Sequence, residues 1–216
     1  MIDGMVKKMA RPMATIGLCC AAALSLQGCV ELMIGSAVVG TFAATDRRTF
    51  GAQADDKAIV LKGENRMRNA LGSAAHINVS SFNRRALLTG EVADERAKET
   101  AEREMRAVDG VLEVGNELEI GPITSYSTRS NDTLITTKVK ASFVDTKDLY
   151  GSAFKVVTEN GAVFLMGRVT QREGNLAGDV TRGVSGVRKV VKIFDYISEP
   201  ELKNMLASPD KQEAAK

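Results

Sequence analysis

The sequence predicts an α+β protein built of two tandem modules. Each module has the order αββαβ, a three-stranded mixed sheet with two helices on one face. Three observations lead there. The first is an internal repeat, the strongest single clue to architecture in a chain of this length. INVSSFNRRALLTGEV (77–92) aligns with FKVVTENGAVFLMGRV (154–169), setting Val79 on Val156, Asn83 on Asn160, Leu88 on Leu165, Gly90 on Gly167 and Val92 on Val169. Val108-Asp109-Gly110-Val111 then recurs as Val184-Ser185-Gly186-Val187, with one residue lost in between. The second is Asn160-Gly161 between two apolar runs, a hairpin signal because both central residues of a type I′ turn need positive φ. The third is apolar spacing of three and four residues on either side of each hairpin, the mark of a one-sided helix.

The elements follow in order. Lys7, Lys8 and Arg11 precede an apolar run from Met13 to Leu26. That run is shorter than the ~20 residues needed to span a bilayer and fits a secretory signal. It ends in Leu26-Gln27-Gly28-Cys29, which looks like a bacterial lipobox with Cys29 as the acylated residue. A plain secretory signal with an incidental cysteine is the alternative. Residues 1–28 are then a removable lipoprotein signal peptide, and Cys19 and Cys20 leave with it. The remaining cysteine carries lipid, so no disulfide is expected. Val30 stands where inner-membrane retention would favour Asp, which places the chain at the outer membrane, facing the periplasm. Residues 29–54 read as a lipid-anchored tether, either lying on the bilayer or acting as a simple linker.

Residues 55–120 form the first module. Asp55-Asp56 is expected to cap a helix running to about Leu71. Strands Ile77–Ser81 and Ala86–Val92 flank a weaker turn at Asn83-Arg84-Arg85. A second helix presents Ala97, Ala101, Met105 and Val108, and a strand Val111–Ile120 closes the copy. After a linker, 121–130, the second module spans 131–198. Its first helix is expected to be capped at Ser130-Asn131-Asp132 and to run to about Val144. Strands Phe154–Thr158 and Ala162–Val169 follow. A helix with the stripe Leu176, Val180 and Val184 is interrupted by Gly174, Gly178 and Gly183, each costing roughly 1 kcal/mol relative to Ala. It should be the softest element of the pair. Strand Val187–Ile197 ends the module, and residues 199–216 read as a flexible tail in which Pro200–Ala207 could form a helical turn.

Composition narrows the function. Twenty-nine basic against 27 acidic residues give +2, which excludes a generally basic nucleic-acid binder. Three cysteines and one histidine are too few for the usual four-ligand zinc site, and no metal site or cofactor is expected. His76 stands alone before a strand, Gly-rich phosphate loops are missing, and no base lies at a useful spacing from a serine or threonine, so no enzyme is expected. Divided by module, the charge becomes informative. Residues 55–120 hold 10 basic and 13 acidic residues, whereas 129–197 hold 11 basic and 7 acidic. Only the second module suits an anionic surface.

Its first helix sharpens this. Ile135, Val139, Ser142 and Phe143 share a sector of about 100° that should face the sheet. Leu134 and Val144 fall outside it, on a face shared with Thr137 and Ala141 and flanked by Lys138 and Lys140. Apolar residues bordered by lysines suit a helix that dips into a headgroup layer, although single exposed apolar residues are also ordinary.

SNDTLITTKVKASF, TENGAVFLMGRVT and VSGVRKVV, with ATDRRTFGAQADD in the tether, resemble outer-membrane lipoproteins carrying two BON domains. The resemblance covers nearly all of residues 23–197. It implies phospholipid binding through the first helix of the second domain, where Leu134, Lys138, Lys140 and Val144 stand, and support of outer-membrane integrity. The competing expectation is a protein-binding adaptor for an envelope assembly machine or a cell-wall enzyme.

Overall fold

The computed structural model describes residues 46–206. The signal segment, Cys29, most of the tether and residues 207–216 lie outside them. Five helices and two sheets follow in the repeated order. The first module comprises α1 (Phe50–Leu71), β1 (His76–Phe82), β2 (Arg85–Val92), α2 (Glu95–Arg106), β3 (Glu113–Asn116) and β4 (Glu119–Ile120). The second comprises α3 (Tyr126–Asp145), β5 (Phe154–Glu159), β6 (Ala162–Thr170), α4 (Gln171–Arg182) and β7 (Lys189–Ile197), followed by α5 (Glu199–Leu206). In each sheet the central strand pairs antiparallel with its hairpin partner and parallel with the closing strand. The closing strand is continuous in the second copy and broken in the first, where Glu117 N donates to Leu88 O at 3.0 Å between β3 and β4.

Both first helices start earlier than the sequence predicts. Thr49 caps α1, its hydroxyl accepting from Ala52 N at 3.1 Å, and Ser125 caps α3, accepting from Thr128 N at 3.2 Å. Helix therefore begins at Phe50, within residues 29–54, and at Tyr126, within residues 121–130. Asp55-Asp56 and Ser130-Asn131-Asp132 lie inside their helices. Asp56 and Asp132 are buried there and bind the hairpin turns. Asp56 accepts from Ser81 Oγ at 2.6 Å and from Asn83 N and Arg84 N, both at 2.8 Å. Asp132 accepts from Asn160 N at 2.9 Å and Gly161 N at 2.8 Å. Each turn carries two residues of positive φ, Asn83 (51°) with Arg84 (62°) and Asn160 (47°) with Gly161 (73°). An arginine there costs roughly 1–2 kcal/mol, and the charge-assisted bonds to Asp56 offset it.

Alternation along the strands divides each sheet into two faces. Val79, Ala86, Leu88 and Val92 meet Ile59, Met67, Ala101 and Met105 beneath the helices of the first module. Val156, Val163, Leu165 and Val169 meet Ile135, Val139, Phe143 and Ala177 in the second. The opposite faces pack on one another: Phe82 and Leu87 of the first sheet join Ala162, Phe164 and Met166 of the second in a third core. The layers therefore run helices, sheet, sheet, helices. Asn83 to Asp195 (3.0 Å) and Asn78 to Glu159 (2.7 Å) bridge the seam.

Two pairs of glycines have structural work. Gly90 (φ 115°) lies against the His76 carbonyl, and a Cβ at the equivalent Gly167 would stand 2.6 Å from the Ala153 carbonyl. Gly174 and Gly178 are buried, with Phe194 and Tyr196 against the first and Lys192 against the second. The buried stripe of α4 is thus Gly174, Ala177, Gly178 and Thr181, while the predicted Leu176, Val180 and Val184 are half-buried beside it. Small residues here let the helix sit close on the sheet. The start of the predicted flexible tail is the helix α5, tied down by Arg168 to Glu201 at 2.7 Å.

Candidate functional site

The six residues singled out on the first helix of the second module, Leu134, Thr137, Lys138, Lys140, Ala141 and Val144, are all exposed on α3. Ile135, Val139 and Phe143 hold the opposite face in the core. Leu134 is 59% exposed and Val144 80%, large values for aliphatic side chains. At about 100° per residue, Leu134, Thr137, Ala141 and Val144 fall within about 80° of one another. Lys138 and Lys140 border this face on opposite sides. Lys138 and Ala141 line a groove between α3 and α4 that is closed by Val180 and Val184. Lys140 opens instead onto a cavity of about 710 Å³ between the modules, walled by Phe82, Phe154 and Lys155. Burial pushes the Lys155 ammonium below its usual pKa, and the charge of Arg48 adds to this.

Sequence reasoning missed one member of the exposed face. Because α3 begins at Tyr126, this tyrosine falls in the same angular sector as Val144, and it is 83% exposed. Arg129 stacks over its ring at 4.5 Å. The face then runs from Tyr126 to Val144, about 27 Å along the helix. A Ser125 cap in place of one at Ser130 was the signal that could have found it.

Arg47 and Arg48, in a segment expected to be tether, strap the modules together. Arg47 makes a bidentate pair with Glu173 at 2.7 and 2.8 Å, and donates to the Arg168 carbonyl at 3.0 Å. Arg48 pairs with Asp46 and Asp56 and lies over the Phe82 ring at 4.3 Å. Burial alone would raise the Asp56 carboxyl, but Ser81, the turn N–H groups and Arg48 hold it below the usual carboxylate range. Glu173 is likewise raised by burial and lowered further by Arg47 and the Thr170 N–H.

The sign of the pH effect follows. A carboxylate depressed in the folded state adds stability that is present above its unfolded pKa, about 3.9 for Asp and 4.3 for Glu. That stability is lost as the pH falls through the folded value. Thermal unfolding followed by circular dichroism should hold its midpoint from neutrality to about pH 5 and fall steeply below about pH 4. Asp56→Asn should flatten that acid limb.

The sequence places His76 at a strand edge without a spaced partner. The fold supplies partners from afar: its Nδ1 lies 3.1 Å from Glu91 Oε2 and 3.9 Å from Glu159 Oε1. On α2, Arg106 pairs with Glu102 one turn away, and Glu104 pairs with Arg66 of α1. No helix among the described residues is long and apolar enough to cross a membrane.

The BON domain model matches residues 55–122 and 131–197, one match on each copy of the repeat. The chain is also 40% identical over 189 residues to outer membrane lipoprotein DolP of Haemophilus influenzae, covering 86% of this chain and 97% of that protein. It belongs to the dual BON-domain, DolP-type outer-membrane lipoproteins. Among other relatives of this DolP-type chain, a 21 kDa hemolysin of Actinobacillus pleuropneumoniae is 34% identical over 154 residues, 70% of this chain and 79% of that one. The solved structure of CdsD, a structural protein of the type III secretion system of Chlamydia trachomatis, overlaps 68% of this chain and 96% of its own at 10% identity, with a TM-score of 0.28. The two DolP-type modules share their fold and differ in charge.

Proposed function

We propose that α3 of the second BON domain docks on anionic phospholipid, at the membrane where an acylated Cys29 holds the chain facing the periplasm. This contact would help maintain outer-membrane integrity. The observation that carries the reading is the single exposed face of Tyr126, Leu134, Thr137, Ala141 and Val144 between Lys138 and Lys140. A helix of this pattern lies in the interface plane with its apolar side in the headgroup boundary. Tyr126 supplies the amphipathic ring favoured there. Each lysine near an anionic surface contributes about 1 kcal/mol, a factor of about five in affinity. Such a patch alone binds weakly, and the lipid anchor raises its effective concentration.

The test uses the chain from residue 29 onward with Cys29→Ser, so that no acyl chain contributes. In flotation with phosphatidylglycerol liposomes it should bind more tightly than to phosphatidylcholine liposomes, and less so at high salt. Leu134→Glu should reduce binding at least tenfold, and Lys138→Glu with Lys140→Glu should remove the preference for anionic lipid. Equal binding to both liposomes, or binding unchanged by Leu134→Glu, would sink the proposal. A protein partner captured equally well by the lysine variants would favour the adaptor role instead.

A further inference from the structure

The seam between the modules brings His76, Glu91 and Glu159 together, and their ligand atoms all lie within 4.8 Å of one another. His76 opens β1 and faces Glu91 across the β1–β2 ladder. Glu159 closes β5 of the other module. Glu91 Oε2 is already used: it accepts from Thr124 N at 3.1 Å and lies 3.3 Å from Thr124 Oγ1, besides its contact with His76. Glu91 Oε1 is buried without a partner among the described residues, on a side chain only 4% exposed. Glu159 Oε2 accepts from Asn78 Nδ2 at 2.7 Å, leaving Oε1 toward the imidazole. Two buried carboxylates thus converge on one imidazole, and among the described residues neither has a lysine or arginine in ion-pair reach. An uncompensated buried charge of this kind is costly.

We propose that His76, Glu91 and Glu159 bind one divalent transition-metal cation of the zinc class and so join the two modules. Four ligands at about 2.1 Å in a tetrahedron stand about 3.4 Å apart. The observed Nδ1–oxygen separations of 3.1 and 3.9 Å bracket that edge. Three protein ligands leave the fourth position to water. One imidazole with two carboxylates suits zinc better than calcium or magnesium, which take all-oxygen sets. Thr124 and Asn78 hold the carboxylates in place, the outer support that metal ligands commonly have. His76 Nδ1 faces both carboxylates, and its side chain, 17% exposed, leaves a route for the ion.

The experiment uses the same chain from residue 29 with Cys29→Ser, which removes the thiol as a rival ligand. Calorimetric titration with zinc chloride at pH 7.5 should give one equivalent bound, and magnesium chloride none. Zinc should raise the thermal midpoint by several degrees, and cobalt(II) should give the visible absorption of a four-coordinate site. His76→Ala and Glu159→Gln should each weaken zinc binding at least tenfold and abolish the cobalt spectrum. Should His76→Ala fail to fold, His76→Gln takes its place. Glu159→Gln, which removes a carboxyl disfavoured by its burial, should leave the metal-free midpoint unchanged or higher. No stoichiometric zinc binding, or binding retained in these variants, overturns the proposal.

Discussion

Replacing Arg47 with alanine is expected to cost about 3–5 kcal/mol of unfolding free energy. Its guanidinium and the Glu173 carboxylate are 4% and 1% exposed, so neither can turn to water when its partner is lost. Glu173 also belongs to the capping box of α4: its side chain accepts from Thr170 N at 2.9 Å while its own N–H meets the Thr170 hydroxyl. Removing Arg47 strands this carboxylate, a larger penalty than loss of an exposed pair, which is worth under about 1 kcal/mol. Urea unfolding measures the effect, and adding Glu173→Gln to Arg47→Ala should recover part of it. A loss under about 1 kcal/mol would show that the carboxylate finds other solvation. The pair also means that the segment following the tether is fastened to the second BON domain before it builds the first.

Asp56→Ala is expected to be comparably damaging, at about 3–5 kcal/mol. It would leave the Ser81 hydroxyl and the N–H groups of Asn83 and Arg84 without their acceptor at once, and Arg48 with Asp46 alone. The equivalent Asp132→Ala should cost less, about 1–3 kcal/mol, the range for leaving buried donors unsatisfied. Asp132 serves two turn N–H groups, and its turn contains Gly161, which adopts positive φ without strain. Parallel denaturant titrations of the two variants test the difference. Equal losses would mean that the left-handed Arg84 adds nothing to the demand on Asp56.

Local features of the fold were legible in the sequence, and long-range ones were not. The repeat located both hairpins, and the stripe Ala97, Ala101, Met105 and Val108 located α2, because periodicity is a property of neighbours in the chain. Asp55-Asp56 and Ser130-Asn131-Asp132 read as helix caps for the same reason. Asp56 and Asp132 sit near helix starts, but their acceptors are used by turns 27 to 29 residues away. The glycines of α4 suggested softness, whereas Gly174 and Gly178 are set by the rings and the lysine of β7 lying against them. Of the exposed α3 face, the part from Leu134 onward followed from angular spacing alone. Tyr126 needed the true helix start. His76 gained partners only through tertiary structure. The apolar runs Ala86-Leu87-Leu88 and Val163–Met166 did carry a hint of the two-sided burial found in β2 and β6, since a strand facing water on one side would alternate.

The back-to-back sheets give the duplication a consequence of its own. A domain of about 60 residues buries only about 60% of the surface its unfolded chain would expose and is marginal by itself. Here each copy supplies half of a common wall, with Phe82 and Leu87 on one side and Phe164 and Met166 on the other. Deleting either copy would leave the survivor with that half open to water. The second copy is therefore not a spare: the pair is the smallest unit that selection can keep, and the lysine-flanked helix is inherited only together with the acidic module behind it.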